Sequence, residues 1–366
     1  MKKFTDIIGQ EQIREYLQRA LRDGRISHAY IIDGPADSDK NELAEVFAAA
    51  LQCLSPAADA QGGGIEPCGE CISCIQAAAG AHADIIHAAT ENKRSVGVDD
   101  VRAIRDDIVI RPYSGNRKVY IIRDAERMTA AAQNALLKTL EEPPGYAVLL
   151  LLADGVTGFL PTVLSRCVVL RMKPVAEQKI AEALRMQAAA WNRGHPEEPA
   201  EAGEEELAFC AGFAGGNPGR AFALLRSPGF AEERKKAAGL LERIGGMNAA
   251  ELAAAAQEYA EDAAAQKRSG AGKGDAEKGA AQFPLTEFLR LWFRDVLVLK
   301  ATGEEGRLLF RDRLAALYSA ADRLSYEGLG RISEAQALYE KRRKANVSEA
   351  LALELLLLAV RGQMKK

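Results

Sequence analysis

Cys53, Cys68, Cys71 and Cys74 are spaced C-x14-C-x2-C-x2-C, the densest set of potential ligands in the sequence. Thiolates bind Zn²⁺ tetrahedrally, and a C-x2-C pair lets one tight turn supply two ligands, so the spacing predicts a closed structural zinc site. Four sulfurs leave no open position for water or substrate, which argues against zinc catalysis. An iron–sulfur cluster takes the same four thiolates and stays open as an alternative, as do redox thiols. Cys167 and Cys210 stand apart.

A second set of residues has the layout of a phosphate cradle. Gly34-Pro-Ala-Asp37-Ser-Asp39-Lys40-Asn41 lies between an apolar run and an Ala/Leu-rich stretch, where the loop G-x-x-x-x-G-K-[ST] would sit. That loop needs glycines so that backbone N–H groups converge on phosphate, a Lys for charge, and a hydroxyl for Mg²⁺. Gly34 and Lys40 are present; Asp39 stands in place of the second glycine and Asn41 in place of the hydroxyl. A carboxylate about 4 Å from a phosphate charge costs on the order of 4 kcal/mol at an effective dielectric of 20, and Asp37 adds to it. At the end of the run Lys118–Ile122, Arg123 occupies the place of the Mg²⁺-holding acid. Ala153 ends the run Val148–Ala153, where a polar sensor would stand. The three losses predict a phosphate loop without nucleotide chemistry.

Two arginines complete the candidates. Arg166, in Ser165-Arg166-Cys167, reads from composition as a surface Arg in a salt bridge. Arg220 follows Gly215-Gly-Asn-Pro-Gly219, a turn that begins a helix. His28, His82, His87 and His195 form no set with a carboxylate at usable spacing, and no Ser/His/Asp arrangement is readable.

These residues need a scaffold. Apolar stripes predict helices over 10–23, 42–51 and 98–109, and Thr129 caps one that Pro143-Pro144 ends. Short apolar runs at 29–32, 84–87, 118–122, 148–153 and 167–170 predict buried strands, with 54–67 as a loop. Strands alternating with helices give a doubly wound parallel α/β sheet to about residue 172. Beyond Pro174 the strand signals stop and helical spacing takes over. Residues 192–206 and 264–282 read as polar surface insertions, and 283–366 as a bundle of amphipathic helices. Three parts follow: 1–172, 173–228 and 229–366.

Composition sets the outer limits. Lys+Arg number 48 against 51 Asp+Glu, a net charge of −3, which excludes nucleic-acid binding driven by a large positive excess. No run reaches the roughly 20 apolar residues of a membrane span. The opening Met1-Lys2-Lys3-Phe4-Thr5-Asp6 lacks a signal core, so the expected location is the cytoplasm.

Taken in order, Arg25-Ile-Ser-His28-Ala-Tyr before the Gly34-Pro loop, the four cysteines, Gly97-Val-Asp-Asp-Val-Arg102, Arg111-Pro-Tyr113, Asn134-Ala-Leu-Leu-Lys-Thr-Leu-Glu-Glu-Pro-Pro144 and Ser165-Arg-Cys167 resemble the bacterial DNA polymerase III clamp-loader subunits. The departures at Asp37, Asp39, Asn41, Arg123 and Ala153 make the chain similar to the non-hydrolysing, delta-prime type. The resemblance implies an AAA+ α/β module, a small helical lid and an all-α C-terminal collar that assembles a ring. It implies that Arg166 is an arginine finger acting on a neighbour's ATP, that the cysteines form a zinc module, and that Arg220 matches a nucleotide-sensing turn. The implied partners are ATPase subunits of gamma/tau type, a delta-type subunit, and, through the assembly, the sliding clamp and primed DNA. Polymerase chemistry would belong to the assembly and not to this chain. Two rivals remain: an ATP-hydrolysing motor subunit, and a zinc-dependent nucleic-acid-binding module.

Overall fold

A computed structural model describes the chain except for residues 1, 37, 59–63, 89–94, 195–202, 228, 271–283 and 365–366. Two compact units emerge, one of residues 1–183 with 216–219, the other of 184–215 with 220–366.

The first unit runs α1 (Glu11–Asp23), β1 (Ala29–Asp33), α2 (Lys40–Gln52), β2 (Ala57–Ala58), β3 (Ile65–Glu66), α3 (Ile72–Ala78), β4 (Ile85–His87), α4 (Val98–Ile108), β5 (Lys118–Ile122), α5 (Ala130–Glu141), β6 (Ala147–Ala153), α6 (Pro161–Leu164) and β7 (Val168–Arg171), and α7 (Glu177–Gly194) follows. Among the described residues the main sheet has five strands in the order β4-β5-β6-β1-β7, every adjacent pair parallel. The reason lies in the strand sequences. β6 reads Ala-Val-Leu-Leu-Leu-Leu-Ala, and all seven residues are buried, as a strand covered on both faces requires. Alternation then builds two cores. Tyr30, Ile32, Val119, Ile121, Leu150 and Leu152 face Leu17 of α1 and Leu43, Phe47 of α2. Ala29, Ile31, Tyr120, Ile122, Leu149 and Leu151 face Val101 and Ile104 of α4 and Leu136 and Leu140 of α5. The five predicted strands and the doubly wound α/β sheet are therefore present.

Local signals account for the helix ends near the candidate residues. Thr129 caps α5 by accepting from the Ala132 N–H at 3.1 Å. Gly24 closes α1 in the left-handed region (φ +67°), its N–H on the carbonyls of Ala20 and Leu21. The sheet brings the C-terminal ends of β5, β6 and β1 side by side. Open α/β sheets place their crevice outside those ends.

Residues 54–67 depart from the predicted loop: β2 and β3 form a short antiparallel pair, and α3 follows. Two-residue strands are too short to carry a period-2 pattern. The described parts of the two predicted insertions are largely helical. α7 runs to Gly194 and α11 (Ala249–Gly270) to Gly270, while 195–202 and 271–283 lie outside the described residues.

The second unit is helical: α8 (Glu204–Phe213), α9 (Pro218–Arg226), α10 (Phe230–Arg243), α11, α12 (Leu285–Thr302), α13 (Leu314–Arg323), α14 (Tyr326–Lys344) and α15 (Glu349–Met364). Its core includes Phe209, Phe213, Phe230, Phe288, Trp292 and Phe310, with neighbouring ring centroids 4.8–6.1 Å apart. Asp295 is fully buried there. It accepts from the N–H groups of Leu309 (2.7 Å) and Phe310 (2.9 Å) and pairs with Arg294, which satisfies an otherwise costly charge. No helix among the described residues is long and apolar enough to cross a membrane.

Candidate functional site

Gly34 leaves β1 with its N–H on the Ala153 carbonyl at 3.1 Å, so the loop starts pinned to the end of β6. Lys40 opens α2, but its side chain turns inward and is 9% exposed. Its ammonium donates to the carbonyls of Gly34 (2.9 Å), Pro35 (3.3 Å) and Ala153 (3.4 Å) and forms a close ion pair with Asp154. A Lys ammonium has three protons. Here one carboxylate and three carbonyls crowd around them.

Asp39 caps α2 by position only, without a side-chain capping bond, and is nearly buried. Desolvation, with repulsion from Glu42, pushes its carboxyl up to about 6. Asn41 lies beside it at the start of α2, and Asp37 lies outside the described residues. Asn217 reaches the same loop, donating from Nδ2 to the Ala36 carbonyl at 2.9 Å. The turn that presents Asn217 depends on Gly216: its φ is +86°, and a Cβ there would lie 2.6 Å from that of Pro174.

Arg123, just past β5, pairs with Glu45 of α2 at 3.4 Å, and His87 at the end of β4 lies 3.5 Å from the same carboxylate. The position that would hold an Mg²⁺ ligand is thus filled by a cation inside a surface ion-pair group. Gly34, Asp39, Lys40, Asn41 and Ala153 meet at one corner of the sheet, with Arg123 nearby, just past β5. Arg220 belongs to the other unit, where it pairs closely with Glu287 and packs over the Phe213 ring at 5.3 Å.

Asp154 was not among the sequence candidates. It lies one residue past the apolar run that ends at Ala153, and it meets Lys40 only because β6 pairs with β1 in parallel. A polar residue directly after a central strand was the available signal.

The four cysteines do converge. Their sulfurs all lie within 4.8 Å of one another. Cys53 ends α2, Cys68 sits before Gly69 (φ +80°), and Cys71 caps α3. The Cys68 and Cys74 sulfurs are 3.8 Å apart, the edge of a tetrahedron of about 2.3 Å Zn–S bonds. N–H groups of Cys68, Cys71 and Cys74 point at the sulfurs of Cys53, Cys68 and Cys71 at 3.3–3.4 Å, as suits thiolates. Against the cost of burial, the Leu54 and Cys74 N–H groups and the neighbouring Cys68 and Cys74 thiols lower the Cys71 thiol to about 6. The donor set fits a four-coordinate metal. Burial instead pushes Cys167 and Cys210 up to about 12.

One arrangement nearby imitates a catalytic pair. Ser73 Oγ is 2.9 Å from His82 Nε2. The Asp84 N–H donates to His82 Nδ1 at 3.0 Å, which places the ring proton on Nε2. That nitrogen donates to Ser73, whose hydroxyl donates to the Gln52 carbonyl at 2.7 Å. The histidine therefore cannot act as a base for the serine, and the set fastens α3 to α2.

Arg166 stands at the surface, its side chain 36% exposed. It donates to the Thr162 carbonyl (3.1 Å) and Ser165 Oγ (3.2 Å) and pairs with Glu141 at 2.8 Å.

A parallel sheet flanked on both faces, with a loop, lysine and helix after β1, defines a doubly wound α/β domain with the layout of a P-loop domain. Residues 9–176 match the family model described as DNA polymerase III, delta subunit. Subunit delta' of Pseudomonas aeruginosa is 41% identical over 187 residues, 51% of this chain and 53% of that protein. Subunit tau of Bacillus subtilis is 38% identical over 181 residues, 49% of this chain and 30% of that protein. The chain thus spans about half or less of the length of these relatives. A crystal structure of a DNA polymerase III gamma subunit-related protein from Thermotoga maritima aligns with a TM-score of 0.39 at 19% identity, covering 95% of this chain and 99% of that one. Over residues 9–176 the chain is therefore similar to the delta subunit of DNA polymerase III, and about half of it to the delta' and tau subunits.

Proposed function

We propose that this chain is the non-hydrolysing, delta-prime-type stator of a bacterial replicative clamp loader, and that it lends Arg166 to the ATP site of a neighbouring ATPase subunit. The observation that carries this reading is the contrast between two cations. Lys40 is turned inward and neutralised by Asp154 and three carbonyls, whereas Arg166 is held at the surface by one exposed carboxylate and the Thr162–Ser165 turn. A phosphate arriving at the Lys40 loop would have to displace Asp154, tolerate Asp39 and do without a metal-holding acid at residue 123. An Arg supplied in trans neutralises charge that develops on the transferring phosphoryl group, worth about 10³–10⁵ in rate.

Within this reading the four cysteines hold one structural Zn²⁺. Residues 173–228 serve as a lid, and 229–366 as a collar that joins gamma/tau-type and delta-type subunits. The sliding clamp and primed DNA are met through the assembly, in the cytoplasm. The match to subunit tau favours a second reading as an ATP-hydrolysing motor.

One experiment separates the two. Nucleotide binding and turnover are measured on the isolated chain with Mg²⁺, and ATPase and clamp-loading rates on the assembly reconstituted with wild-type or Arg166→Ala chain. The stator reading expects no turnover by the isolated chain and a collapse of the assembly's rate on Arg166→Ala. Magnesium-dependent turnover by the isolated chain would establish the motor instead.

A further inference from the structure

Glu141 ends α5, and Glu142 follows it before Pro143-Pro144. A carboxylate at a helix C-terminus faces the negative end of the macrodipole, which disfavours it. The packing of α5 does not call for these charges: its buried residues are Ala132, Gln133, Leu136, Thr139 and Leu140. The compensation for Glu141 lies outside the helix, in its 2.8 Å contact with the Arg166 guanidinium. Thr162 and Ser165, on and just after α6, take the guanidinium's other edge.

We propose that Glu141 is a positioning residue for Arg166, holding the guanidinium in the orientation from which it engages a partner's phosphate; the proposal rests on the reading that Arg166 acts in trans. A long, unheld Arg surrenders rotamer freedom when it meets a phosphate. Glu141 and the α6 turn impose that loss beforehand. The pair is exposed, at 36% for Arg166 and 49% for Glu141, so it is weak and the cation is steadied without being locked. The planar fork can keep one edge toward the carboxylate while another faces a phosphate oxygen. Lys40 and Asp154 form the opposite case, since that cation is buried with its counter-ion and cannot be shared outward.

The test compares ATP hydrolysis by the reconstituted assembly carrying wild-type, Glu141→Ala, Glu141→Gln, Arg166→Ala or the Glu141→Ala/Arg166→Ala double variant. Gel filtration confirms assembly, and thermal unfolding is expected to be unchanged. Glu141→Ala should lower kcat about two- to fivefold, the scale of an exposed ion pair, with KM for ATP unaltered. Glu141→Gln, which retains an oxygen acceptor, should recover part of the loss. The double variant should be no slower than Arg166→Ala, because a residue acting through Arg166 has nothing left to position. A wild-type rate for Glu141→Ala, or a loss that persists undiminished in the Arg166→Ala background, overturns the positioning role. If Arg166→Ala itself runs at the wild-type rate, the trans-acting reading fails and takes this role with it. If Glu141→Ala does not assemble, Glu141→Gln carries the same comparison, and a kcat equal to wild type in that variant likewise counts against the proposal.

Discussion

Lys40 and Arg166 are cations on the same α/β unit, and each stands where a phosphate-binding protein could use it. Their surroundings differ in one respect. Around Lys40 the chain supplies its own anion and carbonyls and closes over them, with Asn217 fastening the loop from the Ala36 side. Around Arg166 it supplies one exposed carboxylate and a turn, leaving the side chain at the surface. Burial therefore separates a cation used internally from one available to another molecule. Residue type does not: without the fold, Lys40 is the stronger phosphate candidate.

The largest expected effect tests the outward half of this contrast. Arg166→Ala should lower ATP hydrolysis by the assembly on the order of 10³-fold while changing the chain's own stability by less than about 1 kcal/mol. Arg166→Lys should be nearly as poor, because an ammonium lacks the guanidinium fork. A steady-state ATPase assay with matched assemblies reads both.

Next comes the cysteine module, attached to the far end of the helix that Lys40 begins. Elemental analysis should find about one zinc per chain. Cys71→Ser should lower that content and cost on the order of 3 kcal/mol in denaturant unfolding, yet leave the Arg166-dependent rate per folded molecule unchanged. Zinc at wild-type level in Cys71→Ser, or iron with visible absorbance, would contradict it.

Asp39 probes the closed corner by pH. Its carboxyl is raised to about 6, chiefly by desolvation, above the unfolded value near 3.9. A raised acid is protonated more readily in the folded state, so its cost is absent below about pH 4, grows as pH rises and is complete above 6. Asp39→Asn should therefore stabilise the protein by on the order of 2 kcal/mol at pH 7.5 and by almost nothing at pH 4. Urea titrations at the two pH values give the difference. An equal gain at both would assign it to packing.

The smallest effect is the sharpest on function. Lys40→Met strips donors from three carbonyls and from Asp154, a stability loss of about 1–2 kcal/mol. The assembly's ATPase rate should not move. A rate that falls with Lys40→Met would make the inward cation a working one and end the contrast.

Much of this was legible in residue order. β6 announced itself by an apolar run, α5 by Thr129 and the two prolines, and the cysteine cluster by its spacing, because each signal is local. What escaped was set by the sheet. Asp154 meets Lys40 across 114 positions, and Glu141 meets Arg166 only after α5 and α6 have packed. Both pairs are oppositely charged residues with no periodic relation to one another. The β2–β3 pair escaped for a different reason, since two-residue strands leave no pattern. Ser165-Arg166-Cys167 was readable as a motif only through its resemblance to a family; composition alone made it an ordinary salt bridge, which it also is.

Gly216–Gly219 belongs to the α/β unit although 32 residues assigned to the other unit, Leu184–Gly215, precede it in the chain. The Gly216 carbonyl receives the Val175 N–H at 2.8 Å, and Asn217 grips the phosphate-loop analogue. The α/β body is therefore not a contiguous stretch of sequence. A protease cut or a stop codon near residue 183 would leave a fragment with every strand of the main sheet but without Asn217, which braces its Lys40 loop. Such a fragment is the natural place to look for a loop that opens, and for a lysine that comes out with it.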